Sequence, residues 1–127
     1  MYTDSGFVWS KALEDFCRQN DGREMWYPHF RTGDSVLARF CVTELILVGR
    51  KHGQHEIVSK WLGEEFAPVG DCSDGNIELL LTVSGRLIGF ADYMMLAWDN
   101  PNCASTWQQD LIHLLRGMEP RTLGIIE

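Results

Sequence analysis

The chain has 127 residues, of which 45% are apolar and 11% aromatic, with a formal net charge of −7 and a mean hydropathy of −0.16. This length predicts a single domain over residues 1–127, whose core is large enough to need neither a disulfide nor a metal. The negative charge disfavours nucleic acid as a partner, because phosphates repel an acidic surface. No apolar run approaches the roughly 18 residues that indicate a membrane span, and no secretory signal is visible. We therefore expect a cytoplasmic protein that uses no membrane.

The cysteine spacing indicates neither a zinc site nor a disulfide framework. Cys17, Cys41, Cys72 and Cys103 lie far apart and form no C-x-x-C pair. Without a signal peptide we expect all four to be thiols in a reducing cytosol. Cys17 and Cys41 are predicted to act as small core side chains.

The first 28 residues predict a helix and then an edge strand. The segment 6–22, GFVWSKALEDFCRQNDG, has the apolar spacing of an amphipathic helix, and its Asn-Asp-Gly ending is a stop signal. The apolar positions are Val8, Trp9, Ala12, Leu13, Phe16 and Cys17. The next segment, EMWYPHF, is aromatic and contains Pro28, which has no N–H to donate, so it predicts an edge strand or an extended segment.

The segment SVLARFCVTELILVG, residues 35–49, is rich in β-branched and aromatic residues. It predicts one bent strand, or two strands joined at Thr43-Glu44. A helix is the alternative, because Leu37, Phe40, Cys41 and Glu44 also fit a helical period.

The segment QHEIVSKWLGEEF predicts a second helix, which ends before Pro68. Its expected buried stripe consists of Ile57, Val58, Trp61 and Leu62.

A hairpin is the clearest prediction of the C-terminal half. NIELLLTV and RLIGFADY are β-like runs on either side of Ser84-Gly85. Three consecutive leucines make the first of these strands apolar on both faces, which is typical of a covered central strand.

The segment STWQQDLIHLLRG predicts the last helix, with Ser105 or Thr106 as its N-cap and Gln108 or Gln109 completing a capping box. Gly117 is the expected C-cap. The buried stripe is predicted to be Trp107, Leu111, Leu114 and Leu115. The element order predicts an α+β domain, with an antiparallel β-sheet and helices packed on one side.

Few residues predict chemistry. His52 and His55 form an H-x-x-H pair without a third ligand at a recognisable distance, so we expect two solvated loop histidines and no metal. Asp71 and Asp74 lack the further oxygens of a calcium loop and are interpreted as turn residues. No nucleophile motif is present, so we expect no catalytic residue and no cofactor.

The negative charge is concentrated around the hairpin. Residues 1–55 carry seven acidic and seven basic residues, whereas residues 56–99 carry eight acidic residues against Lys60 and Arg86. Such a segment attracts basic partners by long-range steering, although solubility alone also explains it.

The run from Trp61 to Gly117 resembles the SUKH superfamily, in particular its third bacterial subgroup of immunity proteins. The resemblance rests on a turn at FAPVGD, the DG pair at Asp74-Gly75, the two strands IELLLTV and SGRLIGF, and a final helix WQQDLIHLLRG. The N-terminal helix ALEDFCRQNDG is similar in outline to that of the family.

The resemblance implies a non-enzymatic role, the neutralisation in the cytoplasm of a cognate toxin domain of the basic nuclease or deaminase type. The chain would then be a monomer or a weak homodimer. Acidic residues would mimic a phosphate backbone, and two aromatic side chains would anchor the toxin. The partner-binding residues expected on this basis are Glu64, Glu65, Asp71, Asp74, Asp92, Tyr93, Trp98 and Asp99.

Two other functions remain open from the sequence. A regulatory protein-binding module of the same fold would have no toxin gene beside its own. A small hydrolase would have a deep pocket with paired carboxylates of perturbed pKa, whereas a binding protein is expected to have a shallow acidic face.

Overall fold

The computed structural model describes residues 7, 9–28, 35–40, 52–72, 77–91, 95–100, 106–116 and 121–122. The elements in chain order are α1 (Lys11–Asn20), β1 (Glu24–Pro28), β2 (Ser35–Phe40), α2 (His52–Leu62), β3 (Phe66–Cys72), β4 (Ile77–Thr82), β5 (Leu87–Ala91), β6 (Leu96–Trp98), α3 (Trp107–Leu115) and β7 (Arg121–Thr122). The strands form one sheet in the order β1 to β7, and each is antiparallel to its neighbour along the chain. Six of them have three residues or more. The predicted α+β class with an antiparallel sheet is confirmed.

The helices divide between the two faces of the sheet, which differs from the expected packing on one side. The rings of Phe16 in α1 and Trp107 in α3 lie 5.1 and 5.9 Å from that of Phe40. In contrast, α2 contacts the sheet through His55, which meets Glu78 and Phe90. Glu78 and Phe90 are opposite each other on β4 and β5.

Strand alternation places these two contacts on opposite faces. The next pair along the same strands, Leu79 and Gly89, points the other way. A Cβ added to Gly89 would meet Leu114 of α3 at 3.3 Å. We call the face that carries Glu78 and Phe90 the α2 face.

Helix α1 is shorter than predicted. Ser10 is its N-cap and accepts a hydrogen bond from the Leu13 amide at 3.1 Å. Trp9 therefore precedes the helix and is 38% exposed, while Val8 lies outside the described residues. The chain leaves the helix at Asp21, and Gly22 has a φ of 87°, a conformation that suits glycine.

The predicted edge strand that contains Pro28 is confirmed, because β1 is at one edge of the sheet. The strand predicted to begin at Ser35 is confirmed for residues 35–40. The rest of that segment, including Cys41 and the Thr43-Glu44 junction, lies outside the described residues. Among the other cysteines, Cys72 is buried and Cys17 packs against the core, both as thiols. Cys103 lies outside the described residues.

The predicted helix α2 is confirmed, but its buried side contains His55 instead of the predicted Ile57. Val58 is fully buried, and Trp61 and Leu62 pack against the core. Ile57 is 37% exposed, whereas His55 is only 1% exposed. His55 lies three positions before Val58 and so shares its side of the helix.

The expected turn at FAPVGD is wrong, because these residues form β3. The strand passes Pro68 because its register with β4 shifts between Pro68 and Gly70. A proline in a central strand needs such an irregularity. A Cβ at Gly70 would overlap the backbone carbonyl of Arg39, so the close approach of β2 requires glycine.

The hairpin of β4 and β5 is confirmed, with a tight turn in which Gly85 has a φ of 91°. The three leucines of β4 are at most 2% exposed, as expected for a covered strand. In α3, Thr106 and Gln109 form the capping box, Leu111 and Leu114 are buried, and Trp107 and Leu115 pack against the core. The predicted cap at Gly117 lies outside the described residues. None of the described helices has the length and hydropathy needed to cross a membrane.

Candidate partner-binding surface

Two of the expected binding residues lie together at the end of the sheet where β4 turns into β5. Glu64 and Glu65 follow α2, and the main chain of Val83 donates to the Glu65 carbonyl at 3.1 Å. Glu64 receives hydrogen bonds from the amide and the hydroxyl of Ser84, each at 3.0 Å. We call Glu64, Glu65, Val83 and Ser84 the hairpin-end surface.

The carboxylates of the hairpin-end surface are held in place by the fold. Glu65 accepts a hydrogen bond from the Ser59 hydroxyl at 3.2 Å, and both oxygens of Glu64 are engaged by Ser84. Each Glu64 carboxylate oxygen has two lone pairs and accepts one of these bonds, so a cation on a partner can still approach. Val83 bonds through its main chain to Glu65, and its side chain is 39% exposed at the same end of the sheet. Preorganised charges lower the entropic cost of binding.

Asp71 does not belong to the hairpin-end surface. It lies at the far end of β3, roughly 20 Å from Glu65 at about 3.3 Å per residue. Its side chain is 14% exposed and accepts a hydrogen bond from Arg39 at 2.9 Å. The structure thus separates acids that are close in sequence, and it assigns Asp71 to β3 rather than to the expected turn.

Trp98 and Asp99 occupy the end of strand β6 and the residue after it. Trp98 is opposite Gly89 and packs against the core, so it is a weaker candidate for the anchor than expected. Because β6 runs antiparallel to β5, the chain after Trp98 heads toward the hairpin end. Arg86 donates to the Asn100 carbonyl at 2.8 Å and fixes this segment there. Asp74, Asp92 and Tyr93 lie outside the described residues.

The α2 face carries a buried histidine that the sequence prediction placed in a solvated loop. The Nε2 atom of His55 lies 2.9 Å from Oε1 of Glu78, and three aromatic rings surround the imidazole. These rings belong to Phe7, Phe66 and Phe90, with centroids 5.6, 5.4 and 6.2 Å away. The sequence signal that could have predicted this burial is the i to i+3 spacing of His55 and Val58, which places both residues on the same side of the helix.

Charged residues cross the α2 face in a row. Glu24 is opposite Arg39, Arg39 is opposite Asp71, and Asp71 is opposite Glu78. Cross-strand partners point to the same face, so the four side chains continue from the edge strand to His55. Three acids and one base give this row a net formal charge of −2.

A second ion pair ties the hairpin to α3. Arg86 donates from Nε and Nη2 to Asp110 at 3.0 and 3.1 Å, and the Leu87 amide donates to the same carboxylate at 2.9 Å. Asp110 is 1% exposed, and its burial was not expected from the apolar stripe of α3.

The buried polar residues of the described chain are all bonded to neighbouring parts of the fold. They are Asn20, His55, Thr82 and Asp110. Within the described ranges, no three His, Cys, Asp or Glu side chains are placed to hold a metal ion. No family model, curated protein or solved structure matches this chain.

Proposed function

We propose that this chain is a binding protein that neutralises a cognate basic toxin domain, as the SUKH resemblance implies. The hairpin-end surface supports this role most directly. Two fixed carboxylates and an exposed valine side chain share this end of the sheet, and carboxylates attract basic partners. Inhibition would be occlusion of the toxin by a bound protein, without turnover.

The arrangement of the buried polar groups favours binding over hydrolysis. Asp110 is neutralised by Arg86, and Glu78 is bonded to His55. The Asn20 side chain donates a hydrogen bond to the Phe16 carbonyl of its own helix at 3.2 Å, and its Oδ1 atom accepts one from Arg23 at 2.7 Å. These bonds stabilise the fold, and a hydrolase would need such groups to face a substrate instead.

The test is binding of this protein to the purified C-terminal domain of any large secreted protein that is encoded beside its gene. We expect the double variant Glu64→Gln, Glu65→Gln to raise the Kd about tenfold or more, because it removes two preorganised charges. The side-chain carbonyl that the first substitution introduces would still accept from the Ser84 amide, so the turn should survive. Thermal unfolding would check this.

The matched control is Glu14→Gln with Asp15→Asn, which removes the same two charges from α1. Both residues are in exposed i, i+4 pairs with Arg18 and Lys11. A Kd change of about twofold or less is expected for this control. Equal losses in both double variants would mean that net charge alone matters. No binding by the unmodified protein would refute the toxin-neutralising role and leave the regulatory module as the alternative.

A further inference from the structure

Trp26 is the most exposed of the large apolar side chains in the described part of the chain, at 66%. It lies at the centre of the edge strand β1. Its neighbours Met25 and Tyr27 pack against the core, and alternation turns Trp26 to the opposite face. This is the α2 face, because Glu24 is opposite Arg39, which pairs with Asp71.

The helix α2 covers only the middle of that face. His55 contacts Phe66, Glu78 and Phe90, which belong to β3, β4 and β5. Trp26 is opposite Leu37 on β2, which is itself only partly buried. The side of the α2 face nearest the edge therefore presents apolar groups to solvent.

The outer edge of β1 is unsuited to pairing with another strand. Phe40 donates to the Arg23 carbonyl and accepts from the Gly22 amide, both at 2.8 Å, so its main chain points toward β1. Two residues earlier, Ala38 points the same way and pairs with Met25. The main-chain groups of Trp26 and Pro28 then face the outer edge, where Pro28 has no N–H to offer. The missing N–H disfavours strand addition at this edge, and the exposed side chains are the groups through which we expect a partner to bind.

The charge beside Trp26 indicates the kind of side chain that fits. Glu24 lies two residues away on the same face and is exposed, and it begins the row that carries a net formal charge of −2. The positive member of that row, Arg39, is paired with Asp71 at 2.9 Å. An indole face attracts a cation within about 6 Å of its ring, and a neighbouring carboxylate adds to that attraction.

We propose that Trp26 and Glu24 form an anchor for an arginine or lysine side chain of a basic protein partner. The identity of that partner rests on the proposed function, whereas the cation preference does not. The anchor lies roughly 28 Å from Glu65 of the hairpin-end surface, about eight residues along the strands at about 3.3 Å each and two strands across at about 4.8 Å each. A standard interface of about 800 Å² per partner is roughly 30 Å across, so one partner domain reaches both.

The first test follows the indole N–H resonances of the protein during titration with a short oligo-arginine peptide. Trp26→Phe and Trp9→Phe variants identify the two signals. We expect the Trp26 signal to shift and the Trp9 signal to stay, and Glu24→Gln to weaken the apparent affinity about threefold or more. A Trp26 signal that does not move, or that moves no more than that of Trp9, would overturn the proposal.

The second test uses the toxin domain itself. Trp26→Ala is expected to raise its Kd about tenfold or more, as for a central aromatic anchor, and Trp9→Ala about twofold or less. Wild-type affinity in Trp26→Ala would overturn the anchor and leave the proposed function intact. If the toxin domain does not bind at all, the proposed function fails, and the oligo-arginine titration alone decides the anchor.

Discussion

Single residues in this protein gain their roles from partners that are distant in sequence. Asp110 is not part of the buried stripe predicted for α3, yet it is 1% exposed and receives three hydrogen bonds from Arg86 and Leu87. The Arg86 side chain is itself 18% exposed. Such a pair is expensive to break, because removal of one charge leaves the other buried without compensation.

We therefore predict that Asp110→Asn lowers the free energy of unfolding by about 3 kcal/mol, measured by urea denaturation. The side-chain NH₂ group of the asparagine would face the N–H donors of Arg86 and Leu87, where the wild-type protein has a carboxylate oxygen. The control is Asp15→Asn in the exposed pair with Lys11, for which we expect a change within about 0.5 kcal/mol. Similar losses in the two variants would contradict a structural role for the Arg86 pair.

His55 is a second case in which the partner decides the role. A histidine in an H-x-x-H sequence has several possible surroundings, and only the fold brings Phe7, Phe66, Phe90 and Glu78 to it. The side chain thereby fills an aromatic site under α2 rather than projecting into solvent.

At the scale of whole elements, local sequence signals were correct for the start of α3 and for the β4–β5 turn, whereas the start of α1 was predicted too early. The capping box of α3 was predicted with two alternatives for each position, and the structure selects Thr106 and Gln109. The Thr106 amide donates to the Gln109 side chain at 2.9 Å, and the Gln109 amide donates to the Thr106 hydroxyl at 3.3 Å.

Loss of this cap should destabilise the protein measurably. We predict that Thr106→Ala lowers the free energy of unfolding by about 1 kcal/mol in chemical denaturation. Gln108→Ala is the control, because Gln108 is exposed in the same turn and outside the box, and alanine is a good helix former. A Thr106→Ala variant as stable as the wild-type protein would show that the cap contributes nothing.

Strand β3 is the element for which local signals misled. Pro-Val-Gly-Asp is a strong turn sequence on local grounds. The structure explains the same residues differently. Pro68 lies where the register with β4 shifts, and Gly70 lies where the Arg39 carbonyl leaves no room for a Cβ. Proline and glycine here accommodate a bulge and a close strand approach instead of a chain reversal.

At the scale of the whole molecule, charge is the property expected to govern association. The chain carries −7, and carboxylates are present at both the hairpin-end surface and the row on the α2 face. Long-range attraction acts mainly on the rate of encounter, and it weakens once the Debye length falls below the distance between the charges.

We accordingly predict that the association rate constant with the proposed partner, a basic toxin domain, falls about tenfold or more between about 20 and 200 mM salt. The dissociation rate constant should change much less, because close contacts determine it. Stopped-flow fluorescence separates the two. A salt effect confined to dissociation would argue against electrostatic steering.

The sequence by itself determined the three described helices, the strands β1 and β2, the β4–β5 hairpin and the cap of α3, whereas β3, β6 and β7 were not predicted. Those features depend on hydrophobic period and turn chemistry within a few residues. It also determined that the chain is acidic. The tertiary structure decided which faces the helices cover, that β3 runs through Pro68, and which acids are paired internally. Arg39 with Asp71, His55 with Glu78 and Arg86 with Asp110 are contacts between residues separated by 32, 23 and 24 positions. Such pairs depend on strand register and helix placement, and no local pattern encodes them.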